Sequence, residues 1–394
     1  MALSAVIIDL DGTLIDTNPQ HMQAWDRALK QKGYHVSLDR IAVEIGKGGD
    51  KLVPSILGRQ IDQRDGDALR AAHTAEFTLI AQSVRLSPFR GVEPLLDAIR
   101  QRNLKLALVT SSKKKELQLT LKSAKVDWLN RFDVVVTGDD APESKPSPDL
   151  LSVGIRRLKM SPAQCVMIGD TPYDCDTARD AGAICFGVTC GGMNDAKTLR
   201  AAGMRAIYRD PADILEHLDE AIRIASPGSA VLTSETIESL MRHALATARE
   251  ALDKDEVPIG CVIARGDGTI MARAHNELNQ SQTKTAHAEM VAFARTAGKI
   301  PTDARDLILV STLEPCVMCL GAAMEAAVDT VLFGLPAPMD GGRQRVRPPI
   351  SPESQMPRIV GSILAEQSRE LLREFLKRDP INPAQEKFVR QLLG

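Results

Sequence analysis

Five short apolar runs, SAVIIDL, KLALVTSS, FDVVVTGD, CVMIGD and AICFGVT, recur between about residues 4 and 189, separated by stretches with helical spacing. Runs apolar along their whole length suit strands covered on both faces, and strands alternating with helices build a parallel sheet. Residues 16–88 break the rhythm. They hold no comparable run but carry helical stretches such as PQHMQAWDRALKQKG, where Met22, Trp25 and Leu29 share a face and Gly33 offers a stop. A helical cap inserted into an α/β core is therefore predicted: core 1–15 and 89–227, cap 16–88.

At roughly 150 residues per domain, a chain of 394 residues needs more than one core. The small-residue stretch ASPGSAVLTSET changes character, so a linker is predicted at 228–233 and a second domain over 234–394. Its pattern is helix, strand (VPIGCVIA), short strand, helix from about Ala286, strand (DLILVST), helix after Pro315, strand (DTVLFG), an irregular segment and a helix (AEQSRELLREFLKR). That order predicts a three-layer α/β/α domain.

Charge is balanced, 49 basic residues against 51 acidic, so neither a phosphate-backbone nor an anionic-membrane footprint is present. Aromatics make up 3% of the chain, which leaves little for a single-strand stacking platform. No apolar run approaches the ~20 residues that span a bilayer, and the N-terminus has no basic leader. A cytoplasmic protein without membrane contact is expected. Of the seven cysteines only Cys316 and Cys319 form a close pair, which points to metal or redox chemistry, not to a disulfide framework.

Asp9 and Asp11 end the run AVII with i, i+2 spacing, which puts both carboxylates on one side of the strand end. Two acids this close need a cation or a proton between them, although Asp-Gly is also a plain turn signal. Thr110, Lys145, Asp170 and Asp174 fall after later runs, at the carboxyl edge where open α/β sheets bind ligands. These four motifs, D-x-D-G-T, a Thr, a Lys and G-D-x-x-x-D, resemble those of the haloacid dehalogenase superfamily over about residues 4–224. The resemblance implies phosphate monoester hydrolysis, with Asp9 as nucleophile, Asp11 as general acid and then base, and Thr110 and Lys145 on the phosphoryl oxygens. Asp9, Asp170 and the backbone carbonyl of Asp11 would bind Mg²⁺, supported by Asp174. IGKGGDKL, around Gly48 and Gly49, is expected to form a loop over the pocket.

His287, Glu289, Cys316 and Cys319 stand in T-A-H-A-E and E-P-C-V-M-C, the H-x-E…P-C-x-x-C arrangement of zinc deaminases. One imidazole and two thiolates leave a tetrahedral Zn²⁺ one free position, and Glu289 would move the proton. A closed structural zinc would need a fourth ligand, for which His275 and Cys261 are candidates without ligand spacing. The chain resembles the cytidine deaminase-like superfamily over about residues 234–378, nearest the branch of tRNA adenosine, guanine and cytosine deaminases. EVPIG, ARAHNEL and TLEPCVMCLGA carry that likeness. It implies a substrate-contacting role for Asn276, otherwise a turn residue, and a homo-oligomer formed through this domain. The long APMDGGRQRVRPPISPESQMP departs from the family's short connection.

The sequence thus predicts a bifunctional hydrolase acting on nucleotide or nucleoside small molecules, a phosphatase fused to a deaminase. The alternative is a tRNA adenosine-to-inosine deaminase with an accessory phosphatase or a non-catalytic binding domain.

Overall fold

The computed structural model describes residues 3–226, 232–301, 304–348, 355–378 and 380–394. The chain divides into two compact units, Leu3–Ala225 and a second beginning at Ser226. Residues 228–231 of the expected linker lie outside the described residues.

The first unit is built on a six-stranded sheet. Its strands are β1 (Ala5–Ile8), β4 (Lys105–Val109), β5 (Val134–Val136), β6 (Cys165–Gly169), β7 (Ile184–Val188) and β8 (Ala206–Tyr208), in the order β5-β4-β1-β6-β7-β8. All neighbours pair in parallel. Val6 and Ile8 of β1 pack with Leu95, Leu96 and Leu117, while Ala5 and Ile7 face Leu150, Leu151 and Met167. Burial on both faces explains why these runs show no polar alternation. Because β1 is flanked by β4 on one side and β6 on the other, the chain reverses direction across the sheet here, and a crevice opens at the strands' carboxyl ends.

Between β1 and β4 the chain leaves the sheet through a two-residue antiparallel ribbon, β2 (Ile15–Asp16) with β3 (Ser87–Pro88). Beyond it lie the helices Asn18–Gln31, Leu38–Glu44, Gly49–Leu57 and Arg59–Ser83. They enclose a core of their own around Trp25, Leu29, Ile41, Leu52 and Leu69.

The second unit holds β9 (Gly260–Ala264), β10 (Ile270–His275), β11 (Leu307–Leu313), β12 (Val328–Leu335) and β13 (Arg358–Val360), in the order β10-β9-β11-β12-β13. β9 is antiparallel to both neighbours, and β11, β12 and β13 run parallel. Helix Ser234–Asp253 supplies Leu240, Met241 and Ala244 to one face, against Val262, Ile308 and Val310. Helices Ala288–Arg295 and Val317–Glu325 cover the other, against Cys261, Ile263 and Leu309. Gly260, the glycine of EVPIG, permits the close approach of the first helix: a Cβ there would lie 2.1 Å from the Ala244 carbonyl oxygen.

Both architectures are those expected, with further elements added, among them two strands and the last helix. β8 is an edge strand of only three residues, too short for a readable period. β13 lies within the segment expected to be irregular. The last helix, Pro383–Leu393, was not anticipated, although Asn382 caps it through a bond from the Ala384 amide. Among the described residues no helix is long and apolar enough to cross a membrane.

Candidate active sites

The first centre sits at the carboxyl edge of the six-stranded sheet. Asp9 follows β1 and stays in register, its amide donating to the Ile168 carbonyl at 3.0 Å. Thr110 follows β4, Asp170 follows β6, and Lys145 reaches in from the loop after β5. The Lys145 ammonium lies 2.6 Å from Asp9 Oδ1 and 2.7 Å from Asp174 Oδ1, and its side chain is 1% exposed. Asp174 closes a capping box with Thr171, whose amide and hydroxyl donate to Oδ2 at 3.0 and 2.8 Å. Asp170 accepts from Asn18 Nδ2 at 2.7 Å and from Thr13 Oγ1 at 3.3 Å. Gly12 has φ +73°, and a Cβ on it would fall 2.2 Å from Asp170 Oδ2, so the D-x-D-G turn needs glycine twice over.

One oxygen from each of Asp9, Asp170 and Asp174 lies within 4.8 Å of the others. A single ammonium faces three buried carboxylates. Burial raises the Asp9 pKa well above the usual carboxylate value, with Lys145 opposing and Asp174 adding to the rise. Burial, then Asp174, pushes Asp170 up to about 7. A hard, oxygen-only donor set short of positive charge fits Mg²⁺.

The Asp11 side chain turns the other way. It accepts from Thr17 Oγ1 at 2.7 Å, Ser112 Oγ at 2.8 Å and Thr110 Oγ1 at 3.2 Å, with His21 Nε2 at 3.3 Å. Burial works to raise its pKa, but His21 and these hydrogen bonds outweigh it and hold Asp11 below the ordinary carboxylate range. His21 is tilted upward: burial lowers it, and Asp11 more than compensates. Behind it His73 Nε2 lies 3.3 Å from His21 Nδ1, and burial followed by the His21 charge drives His73 well below its usual value. Phe77 stacks on His21 at 4.0 Å, and Trp25 on His73 at 4.2 Å. A cavity of about 720 Å³ opens above these groups, walled by the cap and by Ile45–Gly49, with Lys47, Arg70, Lys113 and Lys115 in its lining. Of the segment expected to loop over the pocket, Ile45–Gly48 does so, whereas Gly49–Leu52 forms the start of helix Gly49–Leu57, with Gly48 as its N-cap. Thr17, Asn18, His21 and Ser112 were not singled out from the sequence; the cap-entry segment DTNPQH and the TSS after β4 held the signal.

The second centre joins two helix N-termini. His287 is the N-cap of helix Ala288–Arg295, Cys316 that of helix Val317–Glu325, and Cys319 lies one turn inside the latter. His287 Nδ1 stands 3.6 Å from Cys316 Sγ and 3.7 Å from Cys319 Sγ. Hydrogen bonding from Cys319, opposed by burial and supported by His287, draws Cys316 down to about 4, while the same partner leaves Cys319 raised. One nitrogen and two sulfurs converging on one point fit a tetrahedral Zn²⁺, and no fourth His, Cys or carboxylate joins them among the described residues. Neither alternative fourth ligand joins them: His275 is engaged by Asn276 O at 2.6 Å and by Lys254 Nζ at 3.0 Å, and Cys261 is buried outside the cluster.

Glu289, in the first turn beyond His287, accepts from Ser311 Oγ at 2.9 Å and from Cys319 Sγ at 3.4 Å. Burial raises its pKa. Asn276 Oδ1 accepts from the Ala288 amide at 3.0 Å, so it fixes the start of the histidine helix and leaves Nδ2 for a ligand. The adjoining cavity, about 540 Å³, is lined by apolar groups, by Glu256, Glu289, Glu314 and Asp340, and by Gln385 and Phe388 of the last helix. Of the arginines in the long segment, Arg345 donates to the Gly341 and Pro338 carbonyls at 2.6 and 2.8 Å, holding its own loop together.

An α/β core with buried aspartates at its sheet edge and a helical cap, and a His-Cys-Cys cluster beside a buried glutamate, define two hydrolase domains in one chain. Residues 3–182 match the family model for haloacid dehalogenase-like hydrolases, and 234–335 that for the cytidine and deoxycytidylate deaminase zinc-binding region. The phosphoglycolate phosphatase of Nitrosospira multiformis is 35% identical over 198 residues, 48% of this chain and 85% of that one. A solved hydrolase from Pseudomonas syringae superposes with a TM-score of 0.51 at 31% identity, covering 55% of this chain and 98% of that one. The chloroplastic tRNA(adenine(34)) deaminase of Arabidopsis thaliana is 39% identical over 126 residues, 32% of this chain; the chain spans only 9% of that relative's length. Through its first unit the chain belongs to the haloacid dehalogenase-like hydrolases, and it carries a cytidine deaminase-like domain after it.

Proposed function

We propose that the chain is a bifunctional cytoplasmic hydrolase: a Mg²⁺-dependent phosphate monoester phosphatase over residues 1–227 and a Zn²⁺-dependent deaminase of a nucleoside or nucleobase over 234–394. In the first unit the Asp9 carboxylate attacks phosphorus as the ester P–O bond breaks, and water then hydrolyses the aspartyl-phosphate. Lys145 holds Asp9 and Asp174 in place, and with Thr110 it would hold the phosphoryl oxygens. Asp11, held ionised by its four partners, is in the form that takes a proton from the attacking water. To protonate the leaving oxygen it must first gain a proton itself. In the second unit His287, Cys316 and Cys319 present the metal site, Glu289 carries a proton from water to the departing amine, and Asn276 orients the base. Mg²⁺, held by Asp9, Asp170 and the Asp11 carbonyl with Asp174 behind, would neutralise the acids and the phosphate together, and Zn²⁺ would supply Lewis acidity.

The observation that carries this reading is the difference in cationic groups between the two cavities. The first mixes Lys47, Arg70, Lys113 and Lys115 with Asp9, Asp11, Asp67, Glu116 and Asp139 in its lining, and Lys145 lies buried beside Asp9; the described lining of the second has four acids and neither lysine nor arginine. A phosphate ester suits the first and an uncharged base the second. Assaying the purified chain on phosphate esters, phosphoglycolate and nucleoside monophosphates included, and on free nucleosides and bases tests it. Asp9→Asn should abolish phosphate release while sparing ammonia release from free nucleosides and bases, and Glu289→Gln should abolish ammonia release alone; a chain on which both substitutions are silent ends the proposal.

A second reading, adenosine-to-inosine conversion in tRNA, draws on the identity to the Arabidopsis enzyme. A base splayed from a loop is also uncharged. Turnover of an anticodon stem-loop in preference to free nucleosides would establish it.

A further inference from the structure

The deaminase cavity contains a buried acceptor that the chemistry above does not use. Glu256, just before β9, has no exposed surface and lines the cavity. Its Oε1 takes two backbone amides, from Asn279 at 2.6 Å and Gln280 at 2.9 Å. That short turn is fixed from both sides: Asn279 Nδ2 donates to the Asp255 carbonyl at 2.7 Å, and Gln385 of the last helix donates to Asn279 Oδ1 at 3.2 Å. The other oxygen, Oε2, is buried without a hydrogen-bond partner. Buried polar atoms are almost always paired, so an unpaired one on a rigidly held residue that lines a cavity asks for its partner there. A carboxylate accepts and cannot donate, and nearby Asn276 offers the complementary donor, Nδ2.

We propose that Glu256 is a specificity-determining residue of the second centre, its Oε2 accepting a hydrogen bond from a neutral N–H or O–H of the substrate other than the amine being lost. This rests on the deaminase reading above and narrows it: the substrate carries a second donor, and no phosphate at that wall, where Glu256, Glu314 and Asp340 would repel it. The donor is either a ribose hydroxyl of a nucleoside or the ring N–H that a free base keeps at its glycosidic nitrogen.

The full-length, zinc-loaded protein is assayed for ammonia release on free nucleosides paired with analogues deoxygenated at each ribose position. Free bases are paired with their N-methyl derivatives at the glycosidic nitrogen, and an anticodon stem-loop with its 2′-deoxy form. For the true substrate, removing the donor lowers kcat/KM roughly 10- to 150-fold in the wild type. Glu256→Gln keeps an oxygen for the two amides but can turn a donor into the cavity, and it should erase that preference: a comparable loss on the donor-bearing substrate and about a threefold change or less on its analogue. A structural role would lower both alike. The ribose pairs and the base pairs separate the two donor sources. Equal turnover within every pair by the wild type overturns the assignment even if Glu256→Gln does not fold, and equal losses on both members for a folded variant overturn it too. A wild type that turns over none of these substrates overturns the deaminase reading itself.

Discussion

Replacing Lys145 by Met removes one charge and little volume, so its effect isolates the electrostatics of the first centre. The ammonium sits 2.6 Å from Asp9 and 2.7 Å from Asp174, with 1% of its side chain exposed. At an effective dielectric of about 20 each contact is worth roughly 6 kcal/mol of Coulomb attraction, most of it offset by desolvation of the charges. Deleting one partner of a buried pair typically costs about 3–5 kcal/mol, because the other charges stay buried and uncompensated. Both tryptophans of the chain, Trp25 and Trp128, lie buried in this unit, so tryptophan fluorescence during urea unfolding follows it and not its neighbour. With a slope of about 2–3 kcal/mol per molar urea, the midpoint should fall by roughly 1–2.5 M at pH 7 in metal-free buffer.

The pH dependence fixes the cause. Asp9 and Asp170 have raised pKa values, Asp170 at about 7. An acid raised on folding contributes stability below its unfolded value and loses it as pH rises through the folded one. Without Lys145 these acids rise further, so the deficit is greatest at and above pH 7 and shrinks as the carboxylates protonate towards pH 5. Added Mg²⁺ should recover more stability in the variant than in the wild type. A loss under about 1 kcal/mol at pH 7, or one unchanged between pH 7 and 5, would refute the account.

Three further outcomes are expected. Glu289→Gln should retain zinc by elemental analysis yet lose roughly 10²- to 10⁴-fold in deamination rate, the span of general acid–base catalysis; a rate within tenfold of wild type would remove the glutamate from the chemistry. Cys319→Ser should release zinc and deaminase activity together while phosphate release persists, and any matching fall in phosphatase rate would show the two centres to be coupled. Asp11→Asn should depress phosphate release by at least about 10²-fold. It should also flatten the acid limb of stability: Asp11 is held low in the fold, so its contribution is present above the ordinary carboxylate value and lost as pH falls below it, and a wild-type and variant pair with the same acid limb would contradict this.

Candidate site residues that sit in a short run were legible before any coordinates. Asp9 and Asp11 share a strand end, and Cys316, Cys319, His287 and Glu289 stand at helix starts where spacing fixes their direction. The parallel core was legible because doubly covered strands cannot hide polar residues. What escaped were partners that depend on chain reversals. His73 comes from a cap helix more than fifty residues beyond His21, and nothing local connects them. Ser112 reaches Asp11 only because β4 is placed beside β1. Glu256 looks like one more charged residue before EVPIG's strand until Asn279 and Gln280 close on one of its oxygens. The helix Pro383–Leu393 had a readable start, Asn-Pro, but its importance lies in Gln385 and Phe388 reaching a cavity formed partly by residues over a hundred positions earlier, such as Glu256 and Asn276.

Under the proposed function, the two cavities also dictate an order of events. A phosphate monoester carries up to two negative charges, which Lys145 and the lysines and arginine among the acids of the first cavity's lining can meet. The same ester brought to the second would set those charges among Glu256, Glu314 and Asp340 with no described lysine or arginine in the lining to meet them. A metabolite handled by both centres must therefore lose its phosphate before its amine. The prediction is kinetic: incubated with a nucleoside monophosphate, the chain should release phosphate first and ammonia after a lag, and Asp9→Asn should silence both releases from the monophosphate while leaving ammonia release from the free nucleoside intact. Ammonia from the monophosphate in the Asp9→Asn protein would mean that the charge on the second cavity does not exclude the ester, and the argument from its acidic lining would fall.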